Sequence, residues 1–394
     1  MLGGEISASL LVVAGEASGD QLGAALVRAL LVDLPKVEVY GVGGEHMRAA
    51  GVETVFDVRD LNAVGAVEVV AKIPQGLRMA YRLLREAKQR QTRVVVLIDT
   101  PGFNLSFAAL AKRAGLCVVF YVSPQIWAWR QGRVKKIRRR VDHMLTLFPF
   151  EVPFYTQAGV KATYVGHPLV DRVAALPSPE QAAAQLGLDA SRPTVALLPG
   201  SRSQEIHHLL PPMLGALACM QQQVKSLQAA LPVAPTIDQI EIERLLADSP
   251  VSVALVPGQS LEVLRASQVA LVTSGTATLE AGLVGTPMVI VYQVHALTAF
   301  LVRLLIRVPY IGLVNIVAEK RVVPEFVQDE VQPQTLATAA LHYLLDAKVR
   351  ADVQHELAQL HHKMGPGDGA KRAAACVAAC LTEIKAEEAP VPGR

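Results

Sequence analysis

Short apolar runs alternate with helix-period segments along almost the whole chain. The runs LLVVA, VEVYGV, VVVLID, CVVFYV and HMLTLF fill the first half, and TVALLPG, VSVALV, VALVTSG and PMVIVY the second. Apolar runs of about four to eight residues bounded by turn residues predict buried strands. Strands that alternate with helices predict parallel sheets. The halves also open alike, VVAGEASGD and ALLPGSRSQEI each reading as strand, Gly-containing loop and helix start. The pattern predicts two similar α/β domains, residues 1–170 and 171–365, joined through the Pro-rich stretch VGHPLVDRVAALPSPE. Beyond GPGDGA, an Ala-rich final helix over 366–388 is expected to cross back onto the first domain.

Composition supports this division. The chain has 394 residues, against about 100–200 per domain. It is 51% hydrophobic and 19% charged, enough for large cores, with fraying expected only in the tail EIKAEEAPVPGR. The net charge of +3 is too small to imply nucleic acid by itself. Cys117, Cys219, Cys376 and Cys380 form no C-x-x-C pair, which argues against a disulfide framework or zinc knuckle and fits a reducing, cytoplasmic setting. Cys376 and Cys380, four apart on the last helix, read as small buried thiols. The apolar run near the N-terminus lacks a basic segment before it and reads as a first strand rather than a signal peptide. No run of about 18 apolar residues predicts a membrane span.

The loop GEASGD contains neither G-x-G-x-x-G nor a phosphate-loop Lys. Two readings stand for it: a ligand-facing loop carrying Glu16, Ser18 and Asp20, or a tight turn that uses glycine only for its backbone. Asp99 ends the run VVVLID, where a carboxylate reaches the ligand crevice of a parallel sheet, so it is either a general base or a turn cap. In LLPGSRSQEI, backbone N–H groups around Gly200 and Ser201 and the Arg202 guanidinium suit a diphosphate. In TSGTATLEAG, Ser274, Gly275 and Thr276 open a helix, and Glu280 one turn in suits ribose hydroxyls. Together these loops describe a sugar-nucleotide pocket in the second half. No Asp-x-Asp pair is present to grip a divalent cation, and His207, His208, His361 and His362 lack metal-ligand spacing, so no metal is expected. Lys and Arg crowd the segment RVKKIRRR, just after SPQIWAWRQG, which suits nucleic acid, an anionic membrane surface or a phosphorylated lipid. Arg303 and Arg307, four apart in an almost wholly apolar stretch, read either as a second contact of that kind or as snorkelling arginines on a buried helix.

Taken together, AGEASGD, GVGGEHM, IDTPGFN, YVSPQIWAWRQGRVKKI, LFPFEVPFY, VGHPLVD, LLPGSRSQEI and TSGTATLEAGLVGTPMVIVY resemble the lipid-A-disaccharide synthases, from about Ser9 to about Ala379. The resemblance implies an inverting, metal-independent glycosyltransferase of the GT-B architecture, two Rossmann-like domains facing a cleft. It implies transfer from UDP-2,3-diacylglucosamine to 2,3-diacylglucosamine 1-phosphate (lipid X), giving the β-1,6 disaccharide of lipid A and UDP, without a cofactor. UDP would sit on the C-terminal domain against Ser201, Arg202, Ser274, Gly275, Thr276, Glu280 and Asn315. Asp99 would be the base, with Glu16 beside it, and Arg202 would take charge from the leaving group. Ser18, Trp127, Trp129, Arg130, Arg133, Lys135 and Lys136 would serve the lipid acceptor and the inner face of the cytoplasmic membrane, where the enzyme would bind peripherally and not to nucleic acid. The sequence sets no oligomeric state. Val64, Gln125 and Val314 depart from the residues usual in the family, the first at a segment that would shape an acyl groove.

Two rival readings use the same residues. A UDP-N-acetylglucosamine 2-epimerase would share the fold but need no basic surface. A non-catalytic module for anionic lipid would use RVKKIRRR but leave the second half's phosphate loops without purpose. An NAD oxidoreductase is disfavoured by the missing dinucleotide fingerprint.

Overall fold

The structure is a computed structural model that describes residues 8–61, 73–129, 131–247, 249, 251–293 and 309–388. The segment with Val64 and the stretch with Arg303 and Arg307 lie outside the described residues, as does Arg130. The chain divides into two compact units, residues 1–168 with 367–394, and residues 169–366.

In the first unit seven strands run parallel: β1 (Ser9–Ala14), β2 (Glu38–Gly43), β3 (Glu53–Asp57), β4 (Val94–Ile98), β5 (Cys117–Tyr121), β6 (His143–Thr146) and β7 (Ala162–Tyr164). Their order is β3-β2-β1-β4-β5-β6-β7. Strands β1 and β4 are wholly buried from Leu10 to Ala14 and from Val94 to Ile98, because helices cover both faces of a parallel sheet and leave no polar side. Leu11, Val13, Leu97, Phe107, Phe120 and Tyr155 share one core. The helix Gly369–Glu388 belongs to this unit and packs on the helix Ala17–Asp33 and on β4 and β5, so the last helix does cross back. Arg372 fixes its start by donating from Nε to the Val165 carbonyl at 2.9 Å.

The second unit repeats the plan with β8 (Thr194–Leu198), β9 (Gln228–Val233), β10 (Ala254–Pro257), β11 (Val269–Thr273), β12 (Met288–Tyr292) and β13 (Glu325–Val327), ordered β10-β9-β8-β11-β12-β13. A second core forms around Leu197, Leu210, Met213, Leu217, Leu271 and Val289. The Pro-rich stretch expected to link the units is not bare loop: it contains the helices Pro168–Ala174 and Pro179–Gln185. Proline is tolerated at a helix start, where its missing N–H would have no partner.

Both sheets reverse winding direction once, between β1 and β4 and between β8 and β11. Connections leaving the C-terminal ends of those neighbours diverge, which opens a crevice at the edge of the sheet. Ala14 pairs with Ile98 in the first sheet, and Leu198 with Val272 in the second, so the loops that follow begin side by side.

Candidate functional site

At the first switch point the turn after β4 is strained. Asp99 and Thr100 have φ of 52° and 44°, consecutive left-handed residues that are not glycine. Each such residue costs on the order of 1–3 kcal/mol and persists only when its surroundings over-determine it. Here the Asp99 N–H donates to the Tyr121 carbonyl at 2.9 Å, and buried Asn104 donates from Nδ2 to the carbonyls of Ile98 (3.1 Å) and Asp99 (2.8 Å). Thr100 lies over Gly15, where any Cβ would overlap its side chain. The first glycine of GEASGD is therefore required by packing, and the loop starts at the crevice edge of the sheet, directly after Ala14.

Asp99 and Glu16 come together at this turn. Burial pushes the Asp99 carboxyl above its ordinary range. Burial and then the neighbouring Asp99 charge push Glu16 up. Two carboxyls that resist sharing full charge form a proton-accepting site of raised basicity. Ser18 is exposed one turn along. The Asp20 carboxylate is structural. It accepts from the N–H groups of Gly44 (2.6 Å), His46 (3.0 Å) and Met47 (3.1 Å), and so caps the helix Glu45–Ala49. GEASGD and GVGGEHM are thus one unit.

The same edge of the sheet holds a residue that the sequence pattern did not reveal. Glu151 is 2% exposed and accepts from Trp127 Nε1 at 3.0 Å, from the Phe148 N–H at 3.1 Å and from the Ser123 hydroxyl. Its pKa is pushed up to about 7 by burial, against those donors. Trp127, expected at an acceptor or membrane surface, is instead buried at 6% exposure, its indole edge-on to Phe150 at 4.9 Å. The signal available was one acid among the apolar residues of LFPFEVPFY, directly after a strand. Beyond it, Arg133, Lys135, Lys136, Arg138 and Arg139 are exposed on two short helical turns, anchored by buried Ile137. Trp129 closes the short helix Ile126–Trp129 just before them.

At the second switch point Ser201, Arg202, Ser274, Gly275, Thr276 and Glu280 line one cavity of about 540 Å³, with Ser260 and Gln259 as further members. That is an ordinary size for a small-ligand pocket. The backbone N–H groups after Gly200 are not free as expected. Glu205 Oε2 accepts from Ser201 (3.0 Å) and Arg202 (3.3 Å), while Oε1 takes the Arg202 guanidinium at 2.6 Å. A carboxylate thus sits where an anion would, and the left-handed Gly200, with φ of 132°, leaves it room. The Arg202 side chain, in that ion pair, is 79% exposed at the edge of the cavity. The helix Thr276–Val284 points its first N–H groups, which have no intrahelical acceptor, toward the loop end of β11. Glu280 accepts from Ser260 Oγ at 3.1 Å.

Two expected ligand contacts are corrected. The Ser274 hydroxyl is committed to the Ile311 carbonyl at 2.8 Å, so it braces a loop. Asn315 is wholly buried and spends all four of its hydrogen-bonding positions internally, Nδ2 on the Val323 carbonyl and Glu325, Oδ1 on the N–H groups of Val322 and Val323. It holds the segment behind the pocket and has no capacity left for a donor. Glu325 in turn accepts from the N–H groups of Ile311 and Gly312. His207 pairs with Glu241 at 2.8 Å, and among the described residues no group of three or more His, Cys, Asp or Glu is disposed to hold a metal.

Two parallel α/β units, each with its polar loops at the switch point, define the GT-B class. Solved structures agree in fold. A UDP-GlcNAc 2-epimerase from Neisseria meningitidis bound to UDP-GlcNAc matches with TM-score 0.58 at 10% identity, covering 95% of this chain and 100% of that one. The calicheamicin glycosyltransferase CalG4 matches with TM-score 0.59 at 17% identity, covering 98% and 100%. Sequence comparison is more specific. A family model described as lipid-A-disaccharide synthetase matches residues 10–379. The lipid-A-disaccharide synthases of Myxococcus xanthus and Geobacter metallireducens are each 44% identical, over 93% of this chain and 96% of theirs. The chain belongs to the lipid-A-disaccharide synthase family, and the epimerase reading is left as a distant likeness of fold.

One prediction follows from Glu151. Its folded pKa of about 7 lies above the ordinary value of 4.5, so the folded state binds the extra proton. That contribution to stability is complete below pH about 4.5 and is lost as pH rises through about 7, by at most about 3 kcal/mol. Glu151→Gln should remove that component of the fall. Urea midpoints at several pH values check this, and a variant whose midpoint falls between pH 5 and 8 as much as the parent's would contradict it.

Proposed function

We propose that this member of the family transfers 2,3-diacylglucosamine from its UDP derivative to the 6-hydroxyl of 2,3-diacylglucosamine 1-phosphate, forming the β-1,6 disaccharide 1-phosphate of lipid A and releasing UDP. The carrying observation is the chemical contrast between the two switch points. The first gathers carboxyls with raised pKa, and the second gathers backbone N–H groups, the exposed Arg202 guanidinium and the carboxylates of Glu205 and Glu280 around a pocket.

On this reading the second domain, through Arg202, Ser201 and the helix start at Gly275 and Thr276, takes the diphosphate, and Glu280 accepts from the ribose hydroxyls. Binding displaces the Glu205 carboxylate from the N–H groups of Ser201 and Arg202. Asp99 takes the proton of the acceptor hydroxyl as its oxygen attacks the anomeric carbon from the face opposite UDP, so the configuration inverts. Glu16 keeps that proton-accepting site basic. Charge growing on UDP is met by Arg202 and the helix N-terminus, which supply what a metal supplies elsewhere. Among the described residues no helix is long and apolar enough to cross a membrane. The exposed cations from Arg133 to Arg139 are the proposed contact with the anionic inner face of the cytoplasmic membrane, where the lipid acceptor resides.

Incubation with both monosaccharide substrates in excess EDTA should give UDP and a disaccharide 1-phosphate by mass spectrometry. Absence of product with either hydroxyacyl series, or activity that returns only with Mg²⁺, would overturn the corresponding part. Arg202→Ala and Glu280→Ala should each weaken UDP binding about tenfold or more, the scale of one charge-assisted hydrogen bond. Unaltered affinity in calorimetry for both would place the nucleotide elsewhere. Sedimentation with anionic vesicles should fall steeply with salt, since each basic residue near such a surface gains about 1 kcal/mol. Reversing Lys135 and Lys136 to Glu should abolish it, and binding indifferent to both changes would remove the electrostatic contact.

A further inference from the structure

Strand β5 ends at Tyr121, whose carbonyl accepts the Asp99 N–H at 2.9 Å, and the next N–H, that of Val122, donates to the Leu145 carbonyl of β6 at 3.1 Å. The chain therefore leaves the sheet one residue beyond the anchor of Asp99. It leaves by a strained turn. Val122 has φ of 72°, in the left-handed region, where a β-branched side chain is an outlier that only its surroundings can hold.

The holding groups come from one helix. Glu151 and Tyr155 lie one turn apart on the helix Glu151–Gln157, both buried, and both reach the connection that follows Val122. The Glu151 carboxyl accepts from the Ser123 hydroxyl and from Trp127 Nε1 at 3.0 Å, and the Tyr155 hydroxyl donates to the Pro124 carbonyl at 3.1 Å. Its second oxygen takes the Phe148 N–H at 3.1 Å, which fixes the orientation of the carboxyl itself. Trp127 passes the restraint on. Its carbonyl accepts from Gln131 Nε2 at 3.0 Å, in the turn Gln131–Arg133 that opens the cationic segment. Between these fixed points Gln125 is exposed. Burying a carboxyl is costly even when donors surround it, so stability alone is a poor account of Glu151. What the carboxyl supplies is direction, since it draws Ser123 and Trp127 to one point.

We propose that Glu151 is a positioning residue for the phosphorylated lipid acceptor: through Ser123 and Trp127 it holds the connection from Val122 to Arg133 beside the Asp99 turn, and so sets where the acceptor headgroup lies. The proposal rests on the reading of the first switch point as the acceptor side. Glu151 acts only through the place it gives this connection. Small displacements of a bound reactant are expensive, a shift of about 1 Å costing as much as about 10²-fold.

The test measures steady-state rates with acceptor and UDP-sugar varied separately, on the full-length protein and on Trp127→Phe, Ser123→Ala and Glu151→Gln. Trp127→Phe keeps a ring against Phe150 and removes the indole N–H. It should raise the acceptor KM about tenfold, with kcat within about threefold and the donor KM within about twofold of the parent's. Ser123→Ala should act in the same direction. The double variant Glu151→Gln/Trp127→Phe should have an acceptor KM no higher than Glu151→Gln alone, because both changes break one contact. Leu116→Ala, at a buried position before the other end of β5, should lower the melting temperature and leave the acceptor KM unchanged. An unaltered acceptor KM in Trp127→Phe and Glu151→Gln, independent effects in the double variant, an equal rise in Leu116→Ala, or a rise in the donor KM alone would overturn the proposal while the parent's turnover upholds the reaction. A parent protein that forms no disaccharide would overturn the reading of the reaction, and the proposal with it.

Discussion

The site depends on one constraint of parallel sheets. Where neighbouring strands send their connections to opposite faces, the ends of those strands are left uncovered, and polar loops can emerge beside a rigid, fully buried support. The chain meets that constraint twice, at β1 and β4 and at β8 and β11. The first pair is joined up to the last residue before its loops, Ala14 opposite Ile98, so the position of Asp99 against Glu16 is fixed by a ladder and not by a flexible connection. The same ladder holds the left-handed Asp99–Thr100 turn. A free chain would relax that strain, and Asn104, Tyr121 and Gly15 hold it in place.

The two switch points differ in charge, and the difference follows from which side chains plug them. Glu205 occupies the N–H groups of the second, an internal anion standing in the place of a phosphate. That arrangement pairs the exposed N–H groups of Ser201 and Arg202 within the chain. The first switch point has no such plug. Burial raises the proton affinity of its two carboxyls, and the neighbouring Asp99 charge raises that of Glu16 further.

Much of this was legible in the sequence because parallel strands buried on both faces are nearly continuous apolar runs, as VVVLI in β4 shows. The edge strands β3, β7 and β13 were not legible: they are short and half-buried, so their pattern does not stand out from loop. QAALPV in β9 was hidden by alanines and a proline that suggest helix and turn. The loops were legible through glycine next to polar residues. What Asn315, Ser274 and Trp127 do was not, because each depends on the direction of one side chain, toward Val323, Ile311 and Glu151 and away from a ligand. Glu151 escaped notice for the related reason that its partners, Ser123, Trp127 and Phe148, come from separate connections that only the sheet brings together.

The central claim is that proton transfer belongs to Asp99 and nucleotide binding to the other switch point. Asp99→Asn retains shape and most hydrogen bonding but removes the proton acceptor, so turnover and UDP affinity measured on that variant test it directly. The account predicts turnover lowered by about 10²–10⁴-fold, the usual contribution of a positioned base, with UDP affinity and melting temperature close to the parent's. Near-normal turnover would contradict it and pass the base to Glu16.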